Sequence, residues 1–104
     1  MFVYNVTIKV DHDITEEWLT WMQKKHIPDV MNTECFQGFK LCKLIMPSPD
    51  NEGVSYAVQY FFKEMKDLHI YQSKFAAKLQ EEHASKYKDK FVAFRTVLEE
   101  LDEV

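Results

Sequence analysis

The chain has 104 residues, 46% of them hydrophobic and 14% aromatic, with a formal net charge of −4. That length suits one domain, residues 1–104, with a real core. The acidic balance and the lack of a basic patch argue against a nucleic-acid partner. Residues 3–10 open the chain as a strand: Val6, Ile8 and Val10 alternate with Asn5, Thr7 and Lys9. Asp11-His12-Asp13 breaks it, and Asp13 with Glu16 three residues on reads as a capping-box-like helix start. Helix one is expected over residues 14–26. Pro28 lacks an N–H and restricts the residue before it, which predicts a stop or kink near Ile27 and a separate turn over 28–32.

A second strand is expected over 36–46, with Phe39, Leu41 and Ile45 alternating against Lys40, Cys42 and Leu44. Residues 47–53 form a polar turn-rich connection, and 54–62 a third strand, so the pair reads as an antiparallel hairpin. A longer helix over 63–87 carries Met65, Leu68, Tyr71, Phe75 and Leu79 as its apolar stripe. Residues 91–98 close the chain as a fourth strand.

The order β-α-β-β-α-β is the split βαβ pattern of an α+β, ferredoxin-like sandwich: a four-stranded antiparallel sheet with two helices on one face. The other face is bare. Every strand is apolar on at least one side and not strongly polar on the other, so both faces are expected to be mostly buried. Stacking two sheets in a homodimer, as a closed or nearly closed dimeric α/β barrel, is the simple remedy. The start of the chain has no basic n-region or apolar h-region, and no apolar run reaches membrane-spanning length. A cytoplasmic location without membrane contact is expected. Cys35 and Cys42 make neither a CxxC pair nor a disulfide framework and should be free thiols.

The polar exceptions on the strands are the candidate site residues. Asn5 and Thr7 share one face of the first strand, Gln59 lies midway along the third, and Arg95 midway along the fourth. Such groups need partners, either across a dimer interface or on a ligand. His26, before the break expected at Pro28, is a positioned acid/base or a cap for helix one. His83 lies near the end of helix two, where the helix dipole favours a protonated imidazole. His12 and His69 look like surface residues. Four dispersed histidines do not supply a metal centre, and no cofactor is expected.

A pocket between sheet and helices would draw on His26, Arg95 and Asn5 as catalytic groups. Trp21, Gln59, Tyr71 and His83 would contact the ligand. The chemistry expected there is cofactor-independent proton transfer or oxygenation of an aromatic or enolisable small molecule. His26 or His83 would be the base, and Arg95 would bind a carboxylate or enolate oxygen. A regulatory or purely structural dimer is the competing reading. An RNA-recognition role, with Tyr56 and Tyr60 as stacking platforms, lacks the basic flanks it needs.

The segments Val3-Tyr4-Asn5-Val6-Thr7, Trp18-Leu19-Thr20-Trp21-Met22, His26-Ile27-Pro28-Asp29-Val30, Tyr56-Ala57-Val58-Gln59-Tyr60 and Phe91-Val92-Ala93-Phe94-Arg95-Thr96 resemble, in that order, the family called domain of unknown function 4286. The resemblance covers nearly the whole chain. It implies the architecture of dimeric α/β barrel proteins, among them antibiotic-biosynthesis-type and haem-degrading monooxygenases and lactone isomerases, and carries no established activity. Some members of that superfamily use an Asn on the first strand with a Trp and a His to bind haem or activate a substrate. Asn5 stands on the first strand, whereas both Trp residues lie on helix one.

Overall fold

The computed structural model describes residues 1–47 and 52–103. Strand β1 (Phe2–Val10) leads through a 3₁₀ turn (His12–Ile14) to α1 (Thr15–Trp21), a π turn (Met22–His26) and α2 (Ile27–Met31). Then follow β2 (Gly38–Lys43), β3 (Val54–Phe62), α3 (Met65–Lys74), α4 (Ala76–Lys86) and β4 (Phe91–Glu99). The four strands form one antiparallel sheet in the order β2-β3-β1-β4. This is the ferredoxin-like fold, and the sheet is open, with β2 and β4 as free edges.

Register decides which face each residue serves. Tyr4 pairs with Tyr60, Val6 with Val58 and Ile8 with Tyr56, and all six are buried. These residues point to the helices and meet Trp18, Met22, Ile27, Val30, Leu68 and Tyr71 in one core. The odd-numbered positions of β1 face the other way. There the sheet carries Val92 and Phe94 at 66% and 62% exposure, with Leu98 at 47%. In the single chain, then, only the helix side is mostly buried.

Helix one differs from the expected break at Pro28. The chain widens by one residue and continues. Buried positions run Trp18, Met22, Ile27 and Val30, and the five-residue step from Met22 to Ile27 matches the hydrogen bond from Ile27 N–H to the Met22 carbonyl. A π turn absorbs the extra residue, so both side chains stay on the sheet. The ring of Pro28 also escapes the carbonyl four residues back, with which it would clash in a regular α-helix. Helix two is interrupted instead, at Phe75 (φ −125°, ψ −35°). The interruption rotates the stripe expected along it. Leu68 and Tyr71 remain buried, but α4 buries Ala76 and His83, while Met65 is exposed.

Three smaller expectations also shift. Asp13 caps nothing through its side chain and pairs instead with Lys90 at 3.0 Å; the capping box belongs to Glu64 and Asp67 at the start of α3. The regular part of the second strand is shorter than residues 36–46, although Leu44 N–H still reaches the Ser55 carbonyl at 2.9 Å. Of the polar connection, residues 48–51 lie outside the described residues. Cys35 is buried and Cys42 exposed, both as free thiols. No helix among the described residues is long and apolar enough to cross a membrane.

Gly53 enters β3 against the end of β1. A Cβ there would sit 2.3 Å from the Val10 carbonyl oxygen, and neither backbone can yield without parting the ladder. Gly53→Ala is therefore expected to cost about 1–3 kcal/mol, read as a lower urea midpoint. An unchanged midpoint would show that the hairpin shifts freely.

Candidate functional site

Residues from the sheet and from the helices above it meet in one site. Tyr4 and Val6 come from β1, Tyr60 from β3, Arg95 from β4, His26 from the π turn, and Tyr71, Gln80 and His83 from α3 and α4. They line a cavity of about 20 Å³, room for about one water molecule. Arg95 is exposed and Gln80 half-buried, so the mouth lies at the β4 side. Val6 pairs with Arg95 across the strands, and that pairing aims the guanidinium to the helix side.

His83 is the fixed wall of this site. Only 3% of it is exposed. Its Nε2 accepts the Trp18 indole N–H at 2.9 Å; an indole only donates, so the His83 proton sits on Nδ1. The ring is held between Phe91, 4.0 Å between centroids, and Trp21, 5.5 Å. Burial pushes its pKa down to about 4, with His26 and Arg95 adding to the effect. The charged imidazole that a helix end favours is overruled by desolvation, and the occupied Nε2 lone pair makes His83 a poor base.

His26 is different. Its Nδ1 is buried without a hydrogen-bond partner, and its ring lies 5.5 Å from His83 and 5.1 Å from Trp21. Burial lowers its pKa, while Glu82 and Asp29 pull it back up. Because helix one runs on through the π turn, His26 caps no helix end. Burial raises the pKa of the Tyr4 hydroxyl, and the nearby Arg95 charge partly offsets that. The Tyr60 and Tyr71 hydroxyls are held neutral, first by burial. Arg95 makes no ion pair among the described residues, yet its charge reaches Tyr4, His26, Tyr71 and His83.

The structure thus brings together His26, Tyr71, His83 and Arg95. It does not bring in Asn5 and Gln59. These pair with each other across β1 and β3 and face the bare side of the sheet, one residue out of phase with Tyr4 and Val6. Asn5 Nδ2 donates to Thr7 Oγ1 at 3.1 Å and to Thr96 Oγ1 at 3.3 Å. A shared cavity of His26, Asn5 and Arg95 is therefore not formed. Trp21 backs the histidines without lining the cavity. Tyr4 and Gln80 escaped the sequence reading, and Tyr60 was weighed there only as a base-stacking platform. The signal for Tyr4 was its phase, since Tyr4, Val6 and Ile8 share one face of the strand. Gln80 lies one helical turn before His83.

A four-stranded antiparallel sheet covered on one side by two helical segments defines a ferredoxin-like α+β protein. Within that class the chain belongs to the family described as domain of unknown function DUF4286, which it matches over residues 1–101. No curated protein matches it. Among solved structures it is similar to a dimeric ferredoxin-like protein from an uncultured marine organism, with a TM-score of 0.77 at 10% identity, covering 99% of this chain and 97% of the other. An ethyl tert-butyl ether d (EthD) family protein from Bacillus halodurans gives 0.68 at 14%, covering 97% and 100%. A MhuD variant with two manganese protoporphyrin IX molecules bound per active site gives 0.69 at 15%, covering 100% and 98%. At these identities the likeness is one of fold.

Proposed function

We propose that this protein is a homodimer, its bare sheets stacked, that binds a small anionic organic molecule at the Arg95 mouth of the helix-side cavity. The observation that carries the reading is Arg95 itself. It is a guanidinium without a carboxylate partner, beside the Tyr4 hydroxyl, Gln80 and a neutral His26 with a buried, unpartnered Nδ1. That set suits a carboxylate or enolate oxygen. His26 would take a proton from the carbon next to the carbonyl while Arg95 holds the oxygen that gains charge. Entry requires the Arg95 and Gln80 side chains to swing aside, because the cavity holds about one water.

Haem does not fit the residues present. A porphyrin far exceeds a cavity of 20 Å³, His83 Nε2 is taken by Trp18, and Asn5 faces away. The small cavity also favours the competing reading, a dimerisation module without a ligand.

The dimer rests on the bare face. Four strands of nine or fewer residues present roughly 600 Å² per protomer, about 1,200 Å² for the pair, the lower edge of stable specific interfaces. One experiment separates the readings. Acetoacetate is titrated into the protein while the His26 and Tyr4 ring resonances are followed, with mass by light scattering. A dimeric mass and saturable shifts lost in Arg95→Met are expected, with Phe94→Asp giving a monomer. Dimer without shifts leaves the ligand-free module; a monomeric wild type removes the dimer.

A further inference from the structure

The two helical segments leave a groove between them that shares no lining residue with the Arg95 cavity. Its volume is about 330 Å³, within the range of ligand pockets. Phe75, at the interruption of helix two, and Leu79 supply apolar surface. Lys74 and Lys78 flank them, and Asn32 and Thr33 stand opposite, just past the end of α2.

The charges along the groove are sorted. At one end Lys25 is neutralised by Asp29 and by Glu82, the latter at 3.6 Å. At the other, Lys74 and Lys78 make no ion pair among the described residues, and the Asn32 amide makes no hydrogen bond there. Both ammonium groups line the same groove, and an anion there would be drawn to both. Thr33 is committed, its Oγ1 donating to the Val30 carbonyl at 2.6 Å, so it shapes the wall.

We infer that this groove binds a small organic acid with an apolar body. The carboxylate would lie between Lys74, Lys78 and the Asn32 amide, and the hydrocarbon over Phe75 and Leu79. The charge selects the head, and the apolar floor selects against small hydrophilic anions.

The test titrates isotope-labelled full chain with sodium octanoate at constant ionic strength, following backbone amides. Saturable shifts confined to residues 25–33 and 74–82 are expected. Octanol and acetate, each carrying half of the required chemistry, should bind at least about ten-fold more weakly. Lys74→Glu with Lys78→Glu, both on exposed side chains, should cost about ten-fold or more in affinity with the spectrum otherwise folded. Octanoate shifts that never saturate, that centre on the Arg95 cavity, or that survive the double reversal would overturn the assignment. Because the Arg95→Met variant leaves this groove intact, it should bind octanoate like the parent whatever happens at the cavity.

Discussion

Replacing Trp18 by Ala is expected to cost about 3–5 kcal/mol of folding stability, the range for removing a large aromatic from a packed core. That is a large share of the roughly 5–15 kcal/mol that holds a domain of this kind together. Trp18 is fully buried, its ring 5.0 Å from that of Tyr56, and its N–H is the donor that satisfies His83 Nε2. Ala leaves a cavity and an unpaired buried acceptor together. Trp18→Phe separates the two effects: the ring still fills most of the space, and the lost donor alone should cost about 1–3 kcal/mol. Urea midpoints at pH 7 read both. An Ala variant within about 1 kcal/mol of the parent would mean that His83 finds water and the core collapses onto the gap.

Strand phase and strand register were unequally legible. Alternation along β1 identifies two faces without any structure, because side-chain direction follows the pleat. It does not say which face the helices cover, and it cannot align β1 with β4. Asn5 and Arg95 both sit mid-strand on neighbouring strands, but Arg95 pairs with Val6, one position away from Asn5. A single-residue offset reverses the side of the sheet, and it separates an amide on the bare face from a guanidinium at the cavity. Helix one hid its continuity for a related reason. A proline after an apolar stripe reads as a stop, and only the five-residue step from Met22 to Ile27 betrays a π turn. The break at Phe75 carries no glycine or proline to announce it. The fold was legible because it depends on the order of elements; the site was only half legible because it depends on phase at single residues.

His83 belongs to the scaffold. Its neighbours on all sides are committed: Trp18 to its nitrogen, Phe91 and Trp21 to its faces. His26 keeps an unpartnered nitrogen at the cavity, in a π turn of the sort that recurs at functional sites. One imidazole holds the wall and the other is available to titrate or to bind.

Acidification from pH 7 to below pH 4 is expected to remove roughly 3 kcal/mol of stability through His83 alone. In the unfolded chain this imidazole protonates near 6.5; in the fold, burial delays protonation to about 4. Between those values the unfolded state binds more protons, so stability falls as pH falls, and above about 6.5 this group contributes no slope. His26 acts in the same direction: burial depresses it most, Arg95 and Lys25 assist, and Glu82 and Asp29 oppose. Urea unfolding at a fixed protein concentration, at half-unit steps from pH 7 to 4, gives the slope. His83→Gln removes the titration while its amide oxygen can still accept from Trp18, so its curve should be flatter across that window whatever its stability at pH 7. Parent and variant curves that run parallel from 6.5 to 4 would place the acid sensitivity in the carboxylates and remove His83 from the account.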